Sequence, residues 1–444
     1  MITDKLLYPE KAAFISTSGV FLFKQFDEVI ELNKNILNRV RGRKVALKQL
    51  DSLSLAILIP VLESVAETVL ILPKGLDDSE VESMIIDTNV EFTVSLDKLN
   101  INMTAYNHNE LSAREIAKNA ITKWGIPTSG TTGKPKLVMH TLQSLTRTVV
   151  TNFQKGADNV WGLTYEISRF AGLQVYFQAL LGNCTLILPN DDAGIKDKAL
   201  FFVKNRITAL SATPSFWRSF LMVKNVKLLL LKRITLGGEI SNQNILNALK
   251  VAFPLAKIVH IYASTEAGVG FSVTDGIEGF PLDFCRSGIK DVALKIDNEN
   301  CLLIKSSCNQ QSYFSGRAMY DGDGFVNTGD VVEIEGDRVL FLGRDSGAIN
   351  VGGNKVHPEE VESVILQHPE IELCRVKGQK NPIMGSLVVA EVLTKSEMLD
   401  FKSLKVQLSK LCKEQLESFK VPFKFVKVDV IETSSAGKVV RRKV

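Results

Sequence analysis

The densest concentration of phosphate-binding chemistry in the chain is Thr128-Ser129-Gly130-Thr131-Thr132-Gly133-Lys134-Pro135-Lys136. Two glycines let the backbone curl so that several N–H groups face one anion, Ser and Thr hydroxyls add donors, and two lysines add positive charge. Those parts suit a polyphosphate. The segment is not a Walker loop: its glycines are too close together, and Pro135 follows the lysine where a helix-opening Ser or Thr would stand. Read singly, the other candidates have ordinary explanations. Tyr262 follows the apolar run Ile258 to Ile261 as a strand-end aromatic would, and Asp330 lies in a Thr-Gly-Asp turn. Glu266 precedes Ala-Gly and suits a helix start, and Lys438 lies near an end of the chain, where exposed lysines are common.

Spacing changes that reading. Ser129 to Lys136 resembles the phosphate-binding loop of the AMP-forming acyl-CoA synthetase, adenylation-domain and luciferase superfamily, and the resemblance recurs in order down the chain. Tyr262-Ala263-Ser264-Thr265-Glu266 is similar to that family's aromatic-Gly-x-Thr-Glu segment, with Ala263 in place of the usual glycine. Asp323-Gly324-Phe325-Val326-Asn327-Thr328-Gly329-Asp330 resembles its D-G-W-F-x-T-G-D stretch. Gly343-Arg344, then Ile349 to Glu362 with Gly352-Gly353, follow its domain-junction pattern, and Gly437-Lys438-Val439-Val440-Arg441 resembles the terminal S-G-K-x-x-R.

The resemblance implies an enzyme that activates a carboxylic acid with ATP and Mg²⁺, releases pyrophosphate, and passes the acyl group to coenzyme A. Bringing two anions together requires preplaced donors and a cation. By resemblance, the loop from Thr128 to Lys136 holds the departing phosphates, Thr265 contacts phosphate, and Glu266 holds Mg²⁺. Tyr262, with Ala263 and Ser264, offers a face to adenine, while Gly237, Gly238 and Glu239 bring backbone close to the base and the acyl group. Asp330 accepts from the ribose hydroxyls, as an acceptor-only carboxylate can, and Arg344 lies near ribose and phosphate. Lys438 bridges the attacking carboxylate and the α-phosphate. Its domain then rotates about a hinge at Ser346, where many relatives carry Asp or Lys, so that Gly352 and Gly353 line the path of the thiol. The rival acceptor is the phosphopantetheine arm of an acyl carrier protein, and a reading of another class is a non-catalytic adenylate-binding relative.

The acyl pocket implied by the resemblance includes Tyr165 to Leu173, with Arg169, Phe170 and Gly172, and Gly237 opposite. Arg169 stands where many acyl- and aryl-CoA ligases carry histidine. The aspartate that grips an α-amino group in amino-acid-activating relatives has no counterpart; Phe170 is nearest, and Glu166 comes a few residues early. A carboxylic acid without an α-amino group is therefore expected. Arg169 either pairs with a second anionic group of that acid or faces solvent.

The elements that must position these residues read as α/β. Short apolar runs such as Lys44 to Lys48, Thr68 to Leu72, Asn183 to Pro189 and Ile207 to Ser211 alternate with helical stretches. That pattern favours mostly parallel sheets covered by helices. Short strands separated by Gly, Asn and Asp turns between 271 and 342 predict a smaller β-rich element. A terminal α+β domain is expected from helices at Pro358 to Gln367 and Ser403 to Leu416, with strands at Leu373 to Lys377 and Ser386 to Val392. The expected division is an adenylate-binding domain over 1–343 and a small mobile domain over 344–444.

Composition fits a globular enzyme. The 444 residues carry 53 Lys and Arg against 49 Asp and Glu, too small a surplus for a nucleic-acid coat or a polybasic membrane patch. The six cysteines form no C-x-x-C pair, and the five histidines include no H-x-x-x-H. The most apolar stretch, Leu53 to Leu72, contains Glu63 and Glu67, both expensive in a bilayer, so it predicts a buried or amphipathic helix followed by a strand. No nucleic-acid or membrane partner is expected, and the expected compartment is the cytoplasm.

Overall fold

The structure, a computed structural model, describes residues 8–106, 121–128, 136–149, 158–264, 268–306, 321–381, 384–396, 400–433 and 438–441, and of Ser264 the backbone alone. The α/β expectation holds: two large sheets with parallel centres stand beside a smaller antiparallel sheet and a separate terminal sheet.

A six-stranded sheet runs Asn100–Ala105, Phe92–Asp97, Lys44–Lys48, Thr68–Leu72, Lys123–Thr128, Lys136–Thr141. Its inner strands are parallel and its edge pairs antiparallel. Thr68–Leu72 is buried along its whole length, as expected of a strand covered on both faces. The helix Ser52–Leu62 supplies one cover. The Asp51 carboxylate accepts from Leu53 N and Ser54 N, both at 3.0 Å, and so satisfies two of the donors a helix start leaves open. The helix stops at Glu63, whose buried carboxylate accepts from Trp124 Nε1 at 2.6 Å. Helix Asp78–Thr88 opens with a reciprocal cap between Asp77 and Glu80.

An eight-stranded sheet holds the strands that matter for the site. Its order is Gly268–Val273, Lys257–Ser264, Arg233–Gly237, Ala209–Ala212, Val160–Leu163, Thr185–Leu188, Ala12–Ser16, Gly19–Leu22. From Lys257–Ser264 to Ala12–Ser16 the strands are parallel, so their C-terminal ends lie along one edge. In open α/β sheets the loops leaving that edge form the ligand crevice.

The antiparallel sheet runs Phe280–Pro281, Arg338–Arg344, Val326–Glu335, Cys301–Ser306, Val292–Ile296 around its own apolar cluster. The smaller C-terminal domain pairs Ile371–Asn381 with Gly385–Thr394, adds Lys424–Lys427 in parallel, and carries the short hairpin Ile349–Val351/Asn354–Val356. Helices Pro358–Ile365 and Phe401–Gln415 pack on this sheet around a second separate cluster that includes Val361, Ile365, Leu404 and Leu408. Among the described residues, no helix is long and apolar enough to cross a membrane.

Candidate active site

Two parallel strands deliver the centre of the site. Gly237 ends Arg233–Gly237 and pairs with Ile261, so Gly238 and Tyr262 emerge side by side at the carboxyl edge. Gly238 has φ +82°, a conformation that strains any residue with a Cβ. Space imposes the same restriction, because a Cβ there would stand 2.9 Å from Lys438 Cε. The terminal lysine thus lies directly against the Gly237-Gly238 turn, although 200 residues of chain separate the two.

Tyr262 sits at a bulge, where the pairing with Gly268–Val273 shifts register between Tyr262 and Ala263. Bulges re-aim side chains at sheet ends. The Tyr262 ring lies nearly parallel to Phe271 (centroids 5.2 Å apart, 16°) and to Phe341 (5.3 Å, 9°). Its hydroxyl donates to Asp330 Oδ2 at 2.5 Å. Burial, reinforced by the Asp330 charge, pushes the phenol well above its ordinary pKa, so it remains a donor.

Asp330 lies on Val326–Glu335 directly opposite Arg344, and Arg344 Nε reaches Asp330 Oδ1 at 3.0 Å. Its backbone N–H donates to Thr328 Oγ1 at 3.1 Å, while that hydroxyl donates to Leu302 O at 2.7 Å. One carboxylate is therefore held by a phenol from one sheet and a guanidinium from another. The fold brings together Gly237, Gly238, Tyr262, Asp330, Arg344 and Lys438 by these contacts.

Thr128 and Lys136 form the neck of the phosphate loop. They are paired residues of the antiparallel strands Lys123–Thr128 and Lys136–Thr141, and Thr128 Oγ1 donates to Lys136 O at 3.3 Å. Ser129, Gly130, Thr131, Thr132, Gly133 and Lys134 lie outside the described residues, as do Thr265, Glu266 and the Ser264 side chain.

On the acyl side, Tyr165 donates its hydroxyl to Gly237 O at 3.3 Å and Thr164 donates to Ser211 O at 2.7 Å. Arg169 precedes helix Phe170–Leu181, and its side chain is partly exposed. It pairs inside the chain, with Nε 3.5 Å from Glu166 Oε2 and Nη1 3.5 Å from Pro127 O, beside the phosphate-loop neck. Glu166 Oε1 also accepts from Lys74 N at 3.2 Å. Phe170 is buried against the His140 ring, centroids 5.5 Å apart. Gly172 has no room for a side chain, since a Cβ would stand 2.2 Å from Glu166 O. Gly172→Ala is expected to cost about 1–3 kcal/mol as an overpacking change, read as a lower thermal-unfolding midpoint; an unchanged midpoint would show that the 164–170 loop yields freely.

Gly352 and Gly353, with φ +58° and +91°, turn the terminal-domain hairpin. Gly352 N donates to Met384 O at 2.8 Å and Gly353 N to Asn350 Oδ1 at 3.1 Å. Ser346 lies in the exposed turn Asp345–Gly347, beside an Asp345–Lys355 ion pair of 2.7 Å. Glu239 projects between the body and the terminal domain: one oxygen accepts from Ser215 N at 2.9 Å and the other from Val439 N at 3.0 Å.

Sequence reasoning missed the aromatic stack behind Tyr262, the Ser215–Glu239–Val439 bridge, and the internal pairing of Arg169. Phe271 faces Tyr262 only through an antiparallel register, and Phe341 arrives from another sheet, so neither leaves a local pattern. Glu166 and Arg169, three apart, did carry a local signal for an ion pair.

Comparison with known proteins agrees with this geometry. The model for "AMP-binding enzyme" matches residues 61–309, and that for "AMP-binding enzyme C-terminal domain" matches residues 360–438. A 2-succinylbenzoate–CoA ligase of Bacillus subtilis is 25% identical over 342 residues, 71% of this chain and 66% of that protein. The chloroplastic/peroxisomal 2-succinylbenzoate–CoA ligase of Arabidopsis thaliana is 26% identical over 375 residues, 71% of this chain and 65% of its own length. The matched region thus spans just under two thirds of both relatives. The fold is shared with the anthranilate CoA ligase AuaEII, solved in complex with anthranoyl-AMP, at TM-score 0.80 and 19% identity over 99% of this chain and 94% of that one.

Proposed function

Because this chain belongs to the AMP-binding enzyme family, we propose that it is an AMP-forming acid–thiol ligase, which joins a carboxylic acid to the α-phosphate of ATP, releases pyrophosphate, and transfers the acyl group to coenzyme A. The observation that carries the reading is the position of Lys438, packed on Gly238 at the strand edge that also presents Tyr262 and, through it, Asp330 and Arg344.

The chemistry follows from charge. A carboxylate and a phosphate repel, so the approach needs a cation aimed at both. Lys438 supplies it. Asp330 is the ribose acceptor, and its two partners hold it in place without turning it into a donor. Gly238 presents bare backbone where a Cβ would crowd the lysine, so a nucleotide can approach the strand edge closely. The phosphate loop between Thr128 and Lys136, together with Thr265, takes the leaving phosphates. Magnesium binds one or two carboxylates and several phosphate oxygens, and Glu266 is the carboxylate assigned to it. Among the described residues, no group of three His, Cys, Asp or Glu gathers into a metal cage.

The division into a body of residues 1–343 and a mobile domain of residues 344–444, hinged at Ser346, belongs to the same reading. Support comes from the separate apolar cluster of the terminal domain and from the polar contacts between it and the body. The acid lacks an α-amino group, because Phe170 stands where the gripping aspartate would be and Glu166, a few residues earlier, is engaged with Arg169 and Lys74 N. A cytoplasmic location fits the five described cysteines, none of which is in a disulfide.

The test is pyrophosphate exchange into ATP across aliphatic, aromatic and dicarboxylic acids, beginning with aryl acids of the kind the relatives' names carry. Exchange with one acid, followed by AMP release when coenzyme A is added, is expected. Faster product formation with a holo carrier protein than with coenzyme A would move the acceptor to the carrier. Exchange with none of the acids, or release of ADP, would overturn the reading.

A further inference from the structure

We infer that Glu239 is an interdomain latch: its carboxylate holds the backbone on the C-terminal side of Lys438 in the closed state, making it a positioning residue for adenylate formation rather than a nucleotide ligand. The inference rests on the adenylate chemistry proposed above.

Three successive residues after the lysine have fixed partners. Val440 N donates to Glu432 O at 2.9 Å and Val440 O accepts from Arg375 Nη1 at 3.1 Å, both within the terminal domain. Arg441 pairs with Glu359 at 3.0 Å and with Glu362, again within that domain. Val439 donates its N–H to the body, to Glu239 Oε1 at 3.0 Å, and the Arg441 guanidinium lies within reach of the same carboxylate's charge. The tail is thus tied firmly to its own domain, and the Glu239 bond is the backbone link that domain rotation must break.

Glu239 is built for this. Its other oxygen accepts from Ser215 N at 2.9 Å, in the first turn of helix Pro214–Met222, while Thr213 Oγ1 takes Phe216 N at 3.1 Å. Two of the helix's open donors are satisfied, and the positive end of the helix favours a carboxylate there. The carboxylate is therefore anchored whether or not the tail is present. Lys438 and Val439 are adjacent, so fixing the Val439 N–H fixes the origin of the lysine side chain opposite Gly238. Two further contacts across this boundary, Ser219 Oγ to Glu372 Oε1 at 3.1 Å and Asn242 Nδ2 to Ser363 Oγ at 3.3 Å, are single polar bonds that water can replace.

The experiment uses the full chain and two readouts. First, disulfide formation in Ser219→Cys/Glu372→Cys, followed by intact mass, reports closure without any substrate. Adding Glu239→Ala is expected to slow it about tenfold, the effect of one charge-assisted bond, and an unchanged rate would overturn the latch whatever the enzyme's reaction proves to be. Second, Glu239→Ala is expected to lower pyrophosphate exchange about tenfold while thioester formation from presupplied acyl adenylate stays within about twofold, since that step does not need the closed tail. Equal loss in both steps would mark a merely structural role and overturn the proposal. In a Lys438→Ala background the same change should add less than about twofold, because the latch acts through the lysine; an additive loss would overturn it.

Discussion

Lys438→Ala lowers adenylate formation by about 10²–10³-fold, the cost of removing one preorganised charge-stabilising group, and largely spares thioester formation from presupplied acyl adenylate. The first effect follows from the contact with Gly238, which places the ammonium stem at the strand edge proposed as the meeting point of the two anions. The second follows from the tail's attachment. Arg441 and Val440 bind Lys438 to the terminal domain, so when that domain turns away the lysine leaves with it. Measuring the two half-reactions separately checks both statements. Equal loss in each would mean that the lysine serves a single fixed site and that the domains do not alternate.

Asp330→Ala raises the KM for ATP about 10–100-fold, as expected when hydrogen bonds to a charged group are lost, with a smaller change in kcat at saturating ATP. The carboxylate is the meeting point of the buried Tyr262 hydroxyl and the Arg344 guanidinium. Its loss removes the proposed ribose acceptor and leaves the buried Tyr262 hydroxyl without this acceptor. Asp330→Asn separates these effects: an amide keeps one acceptor oxygen for Tyr262 but turns a donor toward Arg344, so stability recovers more than ATP affinity. Steady-state kinetics with ATP as the varied substrate, alongside thermal unfolding, distinguishes the two. An unchanged KM in Asp330→Ala would remove the residue from the nucleotide site.

The elements were largely legible because their signals are local. Lys44–Lys48, Thr68–Leu72 and Val292–Ile296 appear where short apolar runs end in turn residues, and Asp77 capped its helix as an acidic opening predicts. The long strand Ile371–Asn381 was read four residues short at its C-terminal end, because Gly378 to Asn381 carries no apolar alternation and is held there by pairing with Gly385–Thr394. Arg169 shows the limit more sharply. Sequence set a substrate anion against solvent as its partner, and the fold adds Glu166 and the Pro127 carbonyl, contacts that neither expectation contained.

Chain order and residue type alone carried the family resemblance and, through it, the expected chemistry: a glycine–hydroxyl–lysine loop for polyphosphate, acceptor carboxylates at Asp330 and Glu266, and a terminal lysine. These are properties of single side chains and of neighbours in sequence. Tertiary structure alone decided which groups share a carboxylate and which are already spent. Tyr262 and Arg344 meet on Asp330 only because three strands from two sheets converge. Glu239 reaches Val439 only because a domain closes over the body. Such contacts depend on register and packing between distant segments, and a linear chain carries no local mark of either.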